Sequence, residues 1–229
     1  MAGNFQMTAD GVLDLSKTPI GLDYPNCYIK VLDNVFTPED CAALIALAES
    51  DQRWQTAMIS TSSGDRVELD YRNSDRILRF DHTTAGKIYQ RLLPHIHDIL
   101  EIKPDGKWAG VAGHPKLVEG TWKMLGVNER LSFLRYGPGH YFKPHCDGQL
   151  MLPDGRMSRV TLQIYLNEEG LSGGATRIFG SRGRYLDIEP KIGRVLIFQQ
   201  RSVYHSGEPV VRGLKYTLRS DFMYEHTKD

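Results

Sequence analysis

Cysteine is scarce in this chain of 229 residues: Cys27, Cys41 and Cys146 only, an odd number at wide and irregular spacing. That excludes a disulfide framework and a zinc knuckle, and points to a reducing, cytoplasmic setting. An excess of either charge is missing too, with 28 Lys plus Arg against 28 Asp plus Glu. A nucleic-acid binder that works by neutralising phosphates carries a basic surplus, and a solvating acidic tail carries the reverse; neither class fits. No run of about eighteen apolar residues occurs, so no membrane span is expected. Met1 to Leu15 has neither the basic nor the apolar stretch of a secretory signal. Internal repeats and low-complexity tracts are also lacking. What remains is ordinary globular composition, 41% hydrophobic and 24% charged, on a chain long enough for a sizeable core.

The elements change character along the chain. Residues 1–24 show no periodicity and read as an arm, and 26–36 reads as a short strand. Thr37-Pro38-Glu39-Asp40 is a helix start, with an N-cap, a proline in the first turn and two acids, so Cys41 to Glu49 is expected to be a buried helix. Ala85, Ile88, Tyr89, Leu92, Leu93, Ile96 and Leu100 follow a 3.6-residue period, predicting a helix over 83–100 that Pro94 kinks or stops early. From Arg130 onward, short runs of Val, Ile, Tyr, Phe and Leu alternate with Gly, Pro and Asp turns. Strands are expected near 131–136, 141–146, 158–166, 175–180, 184–189, 194–199, 203–206 and 214–222. No linker divides the chain. The expected class is mainly β with flanking helices, a sandwich or barrel over 126–229 on an N-terminal arm and helical support over 1–125.

The sharpest chemical signal is His145-Cys146-Asp147. At a strand end, residues two apart point to the same face, so one imidazole and one carboxylate can converge on an ion while Cys146 points away. His205, before the turn Ser206-Gly207, offers a third ligand. Two histidines and a carboxylate form the facial triad that leaves three positions of an octahedral iron(II) open. Ten residues beyond His205 stands Lys215, placed to meet the far carboxylate of a dicarboxylic co-substrate. Lys215, Thr217, Arg219 and Asp221 alternate and so share a face. Arg219 either pairs with Asp221 or meets an anionic group of co-substrate or substrate.

The stretch 130–224 resembles the prolyl 4-hydroxylase-like branch of the iron(II)/2-oxoglutarate-dependent oxygenases. The matching pieces are LRYGPGHYFKPHCDG (134–148), LQIYLNE (162–168), GGATRIF (173–179), IEPKIGRVLIFQ (188–199) and HSGEPVVRGLKYTLRSDFMY (205–224), with YRNSDRI (71–77) upstream. The resemblance implies a double-stranded β-helix, or jelly roll, in a single oxygenase domain over 1–229. It makes His145, Asp147 and His205 the iron ligands, Lys215 the partner of the 2-oxoglutarate C5 carboxylate, and Tyr136 a hydroxyl donor to 2-oxoglutarate. It implies Fe(II), 2-oxoglutarate and O2 as cofactor and co-substrates, with ascorbate as a candidate reductant. Oxidative decarboxylation to succinate and carbon dioxide would then accompany hydroxylation or cyclisation at an unactivated C–H bond. Two departures stand out: Ala175 replaces a common Glu, and the place of a second tyrosine in some members falls on Ile164.

For substrate contacts the candidates are Arg219, Asp221, His140 in the turn 137–140, and Arg72 near the pocket mouth, with residues 150–159 as a flap. No aromatic or acidic peptide groove is legible, so the expected substrate is a free amino acid or a small metabolite derived from one. A prolyl residue in a peptide is the alternative. A binding module without catalysis, or a zinc hydrolase, would leave Lys215 without a purpose. No nucleic-acid or membrane partner is expected.

Overall fold

The computed structural model describes Met7 and residues 13–61, 64–114 and 119–227. The strands relevant here are β1 (Ile29–Leu32), β2 (Asp75–Phe80), β3 (Thr121–Val127), β4 (Arg130–Tyr136), β5 (Tyr141–His145) and β6 (Met157–Tyr165), followed by β7 (Thr176–Phe179), β8 (Tyr185–Ile188), β9 (Val195–Gln199), β10 (His205–Gly207) and β11 (Lys215–Thr227). They form two antiparallel sheets. The larger runs β1-β9-β6-β11-β4-β2, with β3 on the far half of β11. The smaller runs β8-β7-β10-β5 and ends on the short strand Arg72–Asn73. From β4 to β11 successive strands alternate between the two sheets except at the β7–β8 hairpin, which is the jelly-roll architecture.

Every strand expected from Arg130 onward is present within a few residues, but β11 runs on to Thr227. The first 125 residues contribute more than the expected helical support. β1 and β2 flank the larger sheet, β3 extends it, and Arg72–Asn73 edges the smaller one. Helix α1 (Pro38–Glu49) opens with a capping box, in which Thr37 Oγ1 accepts from the Asp40 amide and the Asp40 carboxylate accepts from the Thr37 amide. It is less buried than its apolar sequence suggests: only Cys41 and Ala48 are fully covered, because a single face meets the sheet. Helix α2 (His82–Leu92) is capped by Asp81 and stops before Pro94, giving way to two short 3-10 turns. Proline has no N–H to continue the ladder, and its ring clashes with the preceding turn.

The larger sheet divides its residues by parity. Val160, Leu162, Ile164, Leu218, Phe222, Leu131 and Phe133 point outward and pack with Ala85, Ile88 and Leu92 of α2 in the main core. Thr161, Gln163, Ser132, Arg219 and Asp221 point inward, between the sheets. At one end the sheets close over a second cluster that includes Ile20, Tyr165, Ile178, Leu186 and Phe198. The turn into β9 depends on Gly193, at φ 73°, where a Cβ would lie 1.9 Å from the Phe36 carbonyl oxygen.

Beside that turn, Asp33 takes Arg194 Nε at 2.6 Å, Arg194 Nη2 at 3.1 Å and Lys191 Nζ at 3.1 Å. Burial pushes the Asp33 carboxyl up, but these hydrogen bonds outweigh it and hold the group below its ordinary range. Its contribution to stability is therefore complete above the unfolded-state value and fades as pH falls below about 4. Asp33→Asn removes the carboxylate that neutralises a nearly buried Arg194, leaving the Glu189 carbonyl among its acceptors, and is expected to destabilise the fold by about 3 kcal/mol at neutral pH. In urea unfolding, the gap between variant and parent should narrow on acidification.

Candidate metal centre and cavity

Between the sheets lies a cavity of about 550 Å³, a size suited to a small molecule. His145 ends β5, Asp147 follows in the next loop, and His205 opens β10, paired in register with His145. One ligand atom from each of the three lies within 4.8 Å of the others. His145 Nε2 is 3.5 Å and His205 Nε2 3.9 Å from Asp147 Oδ1.

The surroundings fix how these groups present themselves. His145 Nδ1 stands 2.8 Å from the Lys143 carbonyl oxygen, and His205 Nδ1 3.1 Å from that of Val203. A carbonyl oxygen only accepts, so each Nδ1 carries the proton and each Nε2 keeps its lone pair for an ion. Burial depresses the His205 pKa to about 4, so the ring is neutral near pH 7. Asp147 splits its oxygens. Oδ1 faces the imidazoles, while Oδ2 accepts from Thr161 Oγ1 at 2.5 Å and meets Arg219 Nη2 at 3.3 Å. Burial acts to raise the Asp147 pKa, but the Arg219 guanidinium and the His145 contact hold it well below the usual carboxylate range. Phe142 stacks on His145 at 3.8 Å between ring centroids, and Phe198 meets His205 edge-on at 4.7 Å. Two imidazoles that turn Nε2 toward one ionised carboxylate, with aromatic walls, suit a divalent transition metal such as iron(II).

Lys215 lies at the cavity wall, 2% exposed. Its Nζ donates to the Gly174 carbonyl at 2.7 Å and sits 4.4 Å from the centre of the Tyr136 ring. Among the described residues no carboxylate pairs with it. Burial lowers its pKa to about 8. Gly174, at φ 75°, makes room for the lysine stem: a Cβ there would stand 2.9 Å from Val210 Cγ2 and 3.2 Å from Lys215 Cδ. A buried ammonium held by a carbonyl and a ring, with Glu189 acting on it only from beyond ion-pair distance, is suited to an incoming anion.

Arg219 pairs with Asp221, one of the two expected contacts, and adds one that was not expected, to Asp147. It bridges Asp147 and Asp221, the latter at 3.0 Å. Asp221 also accepts from Gln200 Nε2 at 2.8 Å, and Gln200 Oε1 accepts from Ser158 Oγ at 3.0 Å. Ser158 in turn accepts from the Leu150 amide at 2.7 Å, which ties the 150–159 segment to the centre. Burial raises the Asp221 pKa. Arg72 lines the cavity with its guanidinium 4.7 Å above the Phe142 ring. His140 does not line it; its ring lies beside Gly137 in the turn, with Nδ1 buried and unpartnered. Ile164 points outward into the helix-side core, so no pocket hydroxyl was lost at that position. Its neighbour Tyr165 turns inward and donates to Thr176 Oγ1 at 2.7 Å.

Several wall residues escaped the sequence reading: Thr161, Gln163, Arg76 and Arg130. The alternation applied to Lys215–Asp221 would have found Thr161 and Gln163 on 158–166. Arg76 and Arg130 needed the strand pairing itself.

Residues 131–220 match the family model described as the 2OG-Fe(II) oxygenase superfamily. No curated protein matches the chain in sequence. Among solved structures, a prolyl-4-hydroxylase from Pseudomonas putida is similar at 18% identity, covering 91% of this chain and 98% of its own, with a TM-score of 0.61. A prolyl hydroxylase from Trichoplax adhaerens, in complex with a hypoxia inducible factor peptide fragment, is similar at 15% identity, covering 85% and 82%, with a TM-score of 0.57. A viral collagen prolyl hydroxylase from Paramecium Bursaria Chlorella virus-1 is similar at 21% identity, covering 86% and 96%, with a TM-score of 0.51. These likenesses establish the fold. The matched segment holds the His-Asp-His cluster and is similar to the 2OG-Fe(II) oxygenases over residues 131–220.

Proposed function

We propose that the chain holds iron(II) on His145, Asp147 and His205, takes the C5 carboxylate of 2-oxoglutarate on Lys215, and oxidises a C–H bond of a free amino acid or a small relative of one. Bound iron(II), with 2-oxoglutarate and O2, supplies oxidative decarboxylation to succinate and carbon dioxide coupled to oxidation of an unactivated C–H bond. The observation that carries the reading is the pairing of the His-Asp-His cluster with a buried ammonium that has no ion-pair partner among the described residues, in one cavity.

Each residue has a stated task. The Lys143 and Val203 carbonyls hold the two imidazoles as Nδ1–H tautomers. Thr161 and Arg219 occupy Asp147 Oδ2 and leave Oδ1 free to ligate. Phe142 and Phe198 keep water from the imidazole faces. Tyr136 seats the Lys215 ammonium over its ring and offers a hydroxyl within the same cavity.

Anaerobic addition of iron(II) and 2-oxoglutarate is expected to produce a weak visible charge-transfer band, lost in Asp147→Ala and His205→Ala. Zinc-dependent hydrolysis without such a band would overturn the assignment. Lys215→Met should raise the 2-oxoglutarate dissociation constant at least about thirtyfold, as for loss of one partner of a buried charge pair. The pH profile follows from the depressed lysine. Below about 8 the ammonium is charged and binds the anion; above it the amine is neutral. Affinity for 2-oxoglutarate should therefore weaken about tenfold per pH unit above about 8 in the parent. In Lys215→Met that dependence should vanish, as titration by calorimetry would show.

A further inference from the structure

The cavity wall carries more positive charge than the proposed chemistry uses. Arg72, Arg76, Arg130, Lys215 and Arg219 line it, against Asp147 and Asp221. Arg219 is matched by those two acids. Lys215 is assigned to the co-substrate. Arg72 rests on the Phe142 ring and donates to Ser74 Oγ at 3.1 Å. Arg76 and Arg130 remain. Among the described residues neither guanidinium has an ion pair or a hydrogen-bond acceptor.

The exposed arginines aside, that condition sets these two apart among the described residues. Arg135 pairs with Asp75, Arg177 with Asp187 and Arg194 with Asp33, each at 2.8 Å or less. Arg76 and Arg130 stand on adjacent strands, β2 and β4, opposite Leu134 and Phe80 in the register, and both face the cavity that holds the His-Asp-His cluster. Burial, then the nearby charges of Arg72, Arg130 and Arg219, lower the Arg76 pKa; Asp65, on an exposed hairpin, favours its charge but makes no ion pair. Like-charged guanidiniums gathered in a half-buried wall are costly without a counter-charge. The planar fork of arginine matches a carboxylate in bidentate fashion.

We infer that Arg76 and Arg130 form the substrate's anchor, and that the substrate is a small acid whose own free carboxylate they grip. The inference rests on the oxygenase reading above and narrows it. A residue inside a peptide has spent its α-carboxylate on an amide bond and would leave both guanidiniums without a paired carboxylate, with Asp65 and Asp221 acting on them from further off. A cationic substrate would be repelled.

Succinate release by the iron(II)-loaded protein at saturating 2-oxoglutarate tests this with a defined panel: L-proline, N-acetyl-L-proline, L-glutamate, L-aspartate and L-leucine, the amide of each, and a proline-containing decapeptide. One or more of the free acids is expected to raise succinate release at least fivefold, and its amide is not. In the Arg76→Gln/Arg130→Gln variant, the concentration of that acid giving half-maximal stimulation should rise tenfold or more, with thermal unfolding confirming that the variant is folded. A second reading needs no turnover. Phenylglyoxal labels accessible guanidiniums, and peptide mapping in the parent protein should show the free acids slowing labelling of Arg76 and Arg130 at least fivefold while the amides do not. Stimulation by an amide or the decapeptide equal to that by any acid overturns the inference. So does a panel in which no acid stimulates or protects, or a double variant with unchanged half-maximal concentration. Acid-specific protection without any succinate would support the anchor and strike the oxygenase reading alone.

Discussion

The period-two alternation of β11 is the constraint on which the rest of the molecule depends. This strand hydrogen-bonds to β6, β4 and β3. Its even positions, Leu218, Phe222 and Tyr224, anchor the core against the helices. Its odd positions, Lys215, Arg219 and Asp221, face the cavity. A slip of one residue would bury the charges under α2 and turn the apolar side chains into the site. The apolar energy that drives folding therefore also sets the direction of every charged group on this wall.

Asp147 shows how the wall serves the centre. An isolated buried carboxylate would tend to protonate and lose its value as a ligand. Here Arg219 keeps it ionised and Thr161 takes up one oxygen, so the other is presented to the imidazoles in a single orientation. Arg219 is itself a buried charge, matched by Asp221, which leans on Gln200 and Ser158. The carboxylate's charge and aim thus rest on a chain of polar contacts that reaches the backbone of the segment after the metal loop.

Most of the C-terminal fold was legible because each strand there is long enough to alternate and is bounded by glycine, proline or aspartate. The helix stop at Leu92 was legible from Pro94. Of the N-terminal strands, β1 was legible within 26–36, but Arg72–Asn73, β2 and β3 were not. Arg72–Asn73 is two residues long, and β2 has mixed polarity because it lies beside a charged cavity. Their strand character comes from pairing with β5 and β4 rather than from local propensity. The His145-Asp147-His205 cluster was visible from spacing and resemblance. The contacts of Arg219 with two acids, and the shared wall of Arg76 and Arg130, follow from register across strands distant in sequence.

The double glycine before β7 carries a consequence for selectivity. Gly174 lacks the Cβ that would press on Val210 and on the lysine stem, and its carbonyl fixes the Lys215 ammonium in place. A lysine ordinarily samples many rotamers and meets anions wherever they sit. Pinned between a carbonyl and the Tyr136 ring, this one is a stationary point charge. On the proposed assignment, the metal ligands mark one end of a fixed span and the ammonium marks the other. The cavity then acts as a ruler: a diacid one methylene shorter than 2-oxoglutarate could satisfy either mark but not both.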